Sequence, residues 1–235
     1  YTSLEGGPAT LLAAVRRGPR EGALLDASPE REFITALLAK IHASEDVERD
    51  GNRLEFRPTR AFSAQPAPEV TAVNGGEREQ SNTTVVVDNK YVVKILRRVT
   101  SGIHPEIEIG RFLTDVANFE NAPTLLGSLE LFENDRHSAL AVVHSFIETQ
   151  GDAWTVTAAA LDRIIDEERL VPDETAFDSS ESPALLTQRI RQIGRRTAEM
   201  HLAFGCDGKD PAFAPETITA EDTGRWTDSM VARAQ

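Results

Sequence analysis

Cys206 is the only cysteine in 235 residues, so no intramolecular disulfide can form, and the chain fits a reducing compartment. Basic residues are also few. Against 38 Asp and Glu stand 25 Lys and Arg, a formal charge of −13. An acidic surface repels phosphodiester backbones and anionic lipid, which argues against nucleic acid and membrane surfaces as partners. No apolar run approaches the roughly 20 residues of a spanning helix. Residues 1–7 show no basic stretch leading into an apolar one, so no signal peptide is visible. Histidines 42, 104, 137, 144 and 201 lack ligand spacing and suggest no metal cage. Neither G-x-x-x-x-G-K-[ST] nor G-x-G-x-x-G occurs, so P-loop and Rossmann readings fail. A soluble cytoplasmic protein is the resulting expectation.

Hydrophobic residues make up 40% of the chain, enough for a core. Leu11, Leu12, Ala14 and Val15 suit a strand or a short helix, and a second short apolar run follows at residues 23–25. Ser28 before Pro29 reads as a helix start, with Phe33, Ile34, Leu37, Leu38 and Ile41 at helical spacing behind it. Residues 61–80, rich in Pro, Ala, Gly and Glu, read as a linker or irregular ribbon. Residues 83–87 and 91–96 are β-branched runs that predict a hairpin. Pro105 opens a helix to about residue 118, with Ile109, Leu113 and Val116 along one side. Residues 125–132 and 139–147 predict a second hairpin, and a helix follows over about 156–168. Ser182-Pro183 starts a last helix whose Leu186, Ile190, Ile193, Thr197, Met200 and Phe204 form one stripe expected to be buried, with Gly205 as its cap. The tail beyond residue 206 shows weak periodicity.

Lys94 lies within Val92-Val93-Lys94-Ile95, where alternation places Val92, Lys94 and Leu96 on one face. A lysine among aliphatics must reach an anion or solvent, because an unpaired buried ammonium is costly. Taken alone, it is most simply an edge lysine that keeps a strand soluble. Two neighbours change that balance. The polar turn Gln80-Ser81-Asn82-Thr83-Thr84 precedes the strand and can cap phosphates with hydroxyl, amide and backbone donors. The helix after Pro105 carries Glu106 and Glu108, either of which can meet Lys94. In kinases a strand lysine holds nucleotide phosphates and pairs with a glutamate of the next helix. The order strand, strand, helix, strand, strand, connector, helix matches the small lobe of a protein-kinase-like fold.

From about residue 80 to 213 the chain resembles the maltokinase family, including kinase domains fused behind trehalose synthases. The resemblance is carried by Gln80-Ser81-Asn82-Thr83-Thr84, Tyr91-Val92-Val93-Lys94-Ile95-Leu96-Arg97-Arg98 and Gly102-Ile103-His104-Pro105-Glu106-Ile107-Glu108. Further on it includes Leu125-Leu126-Gly127-Ser128-Leu129-Glu130, Gln150-Gly151-Asp152-Ala153-Trp154 and Gly194-Arg195-Arg196-Thr197-Ala198-Glu199-Met200-His201-Leu202. Glu148-Thr149 and Ala153 depart from the family's pattern around the hinge.

The resemblance implies an α+β protein: a cap subdomain over residues 1–75, a kinase-like small lobe over 76–150 and the first helices of a large lobe over 151–235. It implies transfer of the ATP γ-phosphoryl group to maltose with Mg2+, and a fused or associated trehalose synthase as partner. By position, Ser81, Asn82, Thr83 and Thr84 would face the phosphates, Lys94 would hold them, and Glu108 would be its helix partner, with Glu106 as the alternative. Val92 would cover the adenine, and backbone groups of Ser145 and Ile147 would be the hinge contacts. The family's H-G-D-type catalytic loop and acidic metal motif have no counterpart in these residues, so the chain alone is expected to be inactive. Two other readings accompany this one: a related small-molecule kinase with another acceptor, and a non-catalytic module docking on trehalose synthase.

Overall fold

The computed structural model describes residues 11–78, 82–134, 136–149, 151–170, 181–206 and 210–234. The chain opens with strands β1 (Leu11–Arg17) and β2 (Arg20–Leu25), helix α1 (Arg31–Ala43), strands β3 (Val47–Arg49) and β4 (Asn52–Pro58), and the single-turn α2 (Arg60–Ser63). Strands β5 (Val73–Arg78), β6 (Asn82–Val87) and β7 (Tyr91–Leu96) follow. Helix α3 (Pro105–Arg111) then widens into a π-turn (Phe112–Val116) before β8 (Leu125–Glu133) and β9 (Arg136–Ser145). Helices α4 (Ala153–Leu170), α5 (Glu181–Phe204) and α6 (Ala220–Ala234) complete the described chain.

Seven strands form one antiparallel sheet in the order β3-β4-β8-β9-β7-β6-β5, while β1 and β2 form a separate hairpin. Period-two alternation gives the sheet two working faces. Val85, Val87, Tyr91, Val93, Ala141 and Val143 turn to one side, where Ile34, Leu37, Leu38 and Ile41 of α1 meet them with Phe56 and Phe62. Full burial of each such aliphatic is worth about 1.5–3 kcal/mol, so this α1 stripe is the main anchor of the scaffold. On the other side Leu96, Leu125 and Val142 pack with Ile107 of α3. That second, smaller core sets α3 against the strand that carries Lys94.

Close approach fixes the first layer. A Cβ on Gly127 of β8 would collide with Ile41 of α1 and lie 2.7 Å from the Arg57 carbonyl oxygen. Gly75 has φ +91°, and its β5 backbone bulges against β6. The Gly75-Gly76 stretch, expected as linker or irregular ribbon, is therefore a bulged edge strand. The division expected near residue 75 falls inside that strand, and β3 and β4 extend the same sheet.

Several local expectations change. Helix α1 starts at Arg31 rather than at Pro29, because the Ser28 hydroxyl donates to the Asp26 carboxylate instead of capping a helix. Over α3 and the π-turn the covered residues are Ile107, Phe112 and Leu113, whereas Ile109 and Val116 face outward. The π-turn rotates the stripe there by one extra residue. On α5, Ile190 and Ile193 are 57% and 53% exposed, so the expected stripe is uncovered over its middle. Its end is anchored: Phe204 and Phe213 gather around Phe112, and the Phe112 and Phe213 rings stack at 3.8 Å. The tail forms α6, led by a reciprocal cap in which Thr219 Oγ1 accepts from the Asp222 N–H and Asp222 Oδ2 accepts from the Thr219 N–H. Among the described residues, no helix is long and apolar enough to cross a membrane.

Candidate nucleotide-facing site

Register explains which side chains share the face of Lys94. Thr84 of β6 and Val142 of β9 flank it across the two ladders, and in the neighbouring row Val86, Val92 and His144 stand side by side. Asn82, opposite Leu96, belongs to the same face. Thr83 belongs to the other one. It is 1% exposed, and its Oγ1 accepts a 2.5 Å hydrogen bond from Arg97 Nε. Arg97 also reaches Asp26 and Ser28, tying β7 to the segment that follows β2. The Thr83 side chain is thus unavailable to a phosphate, contrary to the expectation for this turn. Ser81 lies outside the described residues.

Lys94 Nζ donates to Glu106 Oε2 at 2.9 Å, and each side chain is 30% exposed. The resemblance implied Glu108 as the partner, and the geometry selects Glu106. Residues 106 and 108 are about 200° apart around a helix, on opposite flanks of residue 107. Because Ile107 is driven into the second core, only one flank can face β7. Pro105 at the first helical position starts α3 there, which sets that phase. Glu106 accepts one of the three ammonium donors of Lys94, and among the described residues no other acceptor engages the rest. The ammonium therefore has free donors on a partly open face.

A third group joins this pair. His144 Nδ1 lies 3.8 Å from Glu106 Oε1, and its side chain is 18% exposed. Burial pushes the imidazole below its ordinary pKa, with the Lys94 charge adding to the depression and the Glu106 carboxylate opposing it. The net effect favours the neutral ring. Sequence reasoning set this histidine aside for want of metal spacing. The signal that would have found it is strand alternation, since it stands two residues after Val142 at the end of an apolar run.

At the expected hinge the two residues differ. The Ser145 N–H donates to the Thr124 carbonyl at 2.9 Å, and its hydroxyl oxygen accepts from the Thr124 N–H. That amide is therefore unavailable to an adenine. Ile147 lies beyond the end of β9 and is half exposed. Val92 is partly covered on the Lys94 face, in the row next to the lysine.

A cleft of about 530 Å³ opens elsewhere, between Asp152 and Val156 near the start of α4 and Arg189, Ile193, Arg196 and Met200 of α5. Lys94 and Glu106 do not line it. Asp152 is occupied as the cap of α4, accepting from the N–H and hydroxyl of Thr155. Among the described residues, no group of three or more His, Cys, Asp or Glu side chains is arranged to hold a metal ion.

No model of a known protein family matches the chain. A glucosamine kinase from Streptacidiphilus jiangxiensis is 29% identical over 162 residues, which are 68% of this chain and 33% of the relative. Among solved structures, a glucosamine kinase in complex with glucosamine, ADP and inorganic phosphate superposes with a TM-score of 0.59 at 21% identity. That match covers 92% of this chain and 44% of the other. Crystal form B of a glucosamine kinase gives 0.57 at 19%, covering 93% and 48%. The chain thus spans about a third of the length of the curated relative it matches, and less than half of these solved structures. Over that span it has a mixed α+β fold similar to that of kinase-like sugar kinases.

Proposed function

We propose that this chain is the nucleotide-binding part of an ATP-dependent sugar kinase. The observation that carries the reading is the 2.9 Å ion pair between Lys94 on β7 and Glu106 on α3, on a sheet of this fold. Phosphoryl transfer requires little covalent chemistry from the protein, so positioning and charge stabilisation dominate. Lys94, oriented by Glu106, would bind the nucleotide phosphates with its remaining donors. Thr84 and Asn82 flank it on the same face, Val92 offers an apolar surface to the base, and Ile147 supplies a backbone contact beyond β9.

Mg2+ would enter with the phosphates, and no step is assigned to it on these residues. The cap, small lobe and large-lobe start are retained as functional regions of one continuous scaffold. Catalytic turnover belongs to the whole protein, with the catalytic loop supplied outside these residues and this stretch inactive on its own. For the acceptor we favour an amino sugar, because similar proteins found by sequence and by fold are named glucosamine kinases. Maltose, implied by the sequence resemblance, is the competing acceptor. A fused or associated trehalose synthase belongs to that second reading only.

The test has two arms. Calorimetry of ATP binding to this chain should give measurable heat, and its absence would reject the nucleotide reading. Phosphorylation of glucosamine and maltose by a protein of the relatives' length then separates the acceptors. Transfer to neither sugar would reject a sugar kinase acting on these acceptors.

A further inference from the structure

Resting on the nucleotide reading above, we infer that His144 is a positioning residue whose protonation competes with Lys94 for Glu106 and so weakens nucleotide binding in acid. The geometry is a three-part contact from three elements. Glu106 on α3 offers Oε2 to Lys94 on β7 at 2.9 Å and Oε1 to His144 on β9 at 3.8 Å. The two basic groups thus address different oxygens of one carboxylate. At 3.8 Å a neutral imidazole makes only a weak dipolar contact, which leaves the carboxylate to the lysine. A protonated ring is drawn to the same carboxylate as an ion pair and also repels the Lys94 ammonium.

The surroundings make this response specific. The charged groups acting on His144 are Glu106 from α3 and Lys94 from β7, while its cross-strand neighbours are Val92 on β7 and Leu125 on β8. Burial and the lysine lower the pH at which the ring takes up a proton, and the Glu106 carboxylate opposes them. His144 stands in the strand row next to Lys94 and is less exposed, 18% against 30%, so its assigned role is to act through the Glu106 carboxylate.

The experiment is ADP affinity as a function of pH, comparing the wild-type chain with His144→Gln, which stays neutral throughout. Ionisation of ADP itself is common to both proteins and cancels in their ratio. Between about pH 7.5 and about pH 5 the dissociation constant of the wild type should rise about threefold more than that of H144Q, the scale expected of a partly exposed ion pair. Glu106→Gln, which removes the contested carboxylate, should also lose this extra acid limb. Should H144Q fail to fold, NMR titration of the His144 ring in wild type and E106Q supplies the readout. A lower midpoint in E106Q supports the contact, and identical midpoints overturn it. Absence of ADP binding by the wild type at neutral pH would overturn the nucleotide reading. Binding with a pH-independent ratio would overturn the role of His144 alone.

Discussion

Arg97 Nε donates to Thr83 Oγ1 over 2.5 Å, so a hydroxyl that the sequence suggests for phosphate contact is instead held within the scaffold. Replacing Thr83 by Val keeps the shape and strands the guanidinium N–H. The expected cost is about 0.5–1.5 kcal/mol of stability, the net worth of one hydrogen bond, because the Arg97 side chain is 31% exposed and water can replace the lost acceptor. Chemical denaturation reads it, while ADP affinity should stay within about twofold if the remaining fold is intact. A large affinity loss without a stability change would return Thr83 to the phosphate face.

Glu106 and Glu108 separate cleanly by mutation. Glu106→Gln should weaken ADP binding by about threefold to tenfold, a range discounted for the partial exposure of the pair. Glu108→Gln should change it by less than about twofold, since that residue projects from the opposite flank of α3. Calorimetry on both variants checks the order, and a reversed order would refute the helix phase described here.

Gly127→Ala tests the close approach of α1 to β8. The added methyl meets Ile41 and the Arg57 carbonyl, and a backbone atom cannot swing aside. Overpacking of this kind costs about 1–3 kcal/mol, visible as a lower denaturation midpoint. By contrast, Ile190→Ser on the uncovered middle of α5 should change stability by no more than about 0.5 kcal/mol.

Acid stability has a defined sign. The Thr71 hydroxyl and N–H, then the Ala72 N–H and the Lys90 charge, hold the Asp88 carboxyl below its ordinary pKa. A depressed carboxylate contributes stability above its unfolded value and loses it as pH falls through the folded one. The melting temperature should therefore drop below about pH 4, and Asp88→Asn should flatten part of that slope.

Much of the scaffold was legible because its signals are local. Val85, Val87, Val93 and Val143 announce strands by β-branching and alternation, and Ile34, Leu37, Leu38 and Ile41 announce α1 by period. The errors arose where a distant partner decided. Ser28 would have capped a helix had Asp26 and Arg97 not claimed it. Gly75 and Gly76 look like a linker until β6 supplies a ladder. Helix α6 carries few apolar residues, but its Thr219-to-Asp222 cap was present in the sequence as a start signal. At the site, Lys94 stood out only through its neighbours, the polar turn before β6 and the glutamates after Pro105. The choice of Glu106 was not legible, because it depends on which flank of Ile107 faces β7 once the second core has formed.

The central claim is that the Lys94 ammonium holds nucleotide phosphates. Its most direct test is calorimetric comparison of ADP and adenosine on the wild-type chain and on Lys94→Ala. Loss of most of the ADP affinity with adenosine binding retained is the predicted result, because only ADP carries the groups that the ammonium would contact. Equal ADP affinity in the two proteins would contradict it.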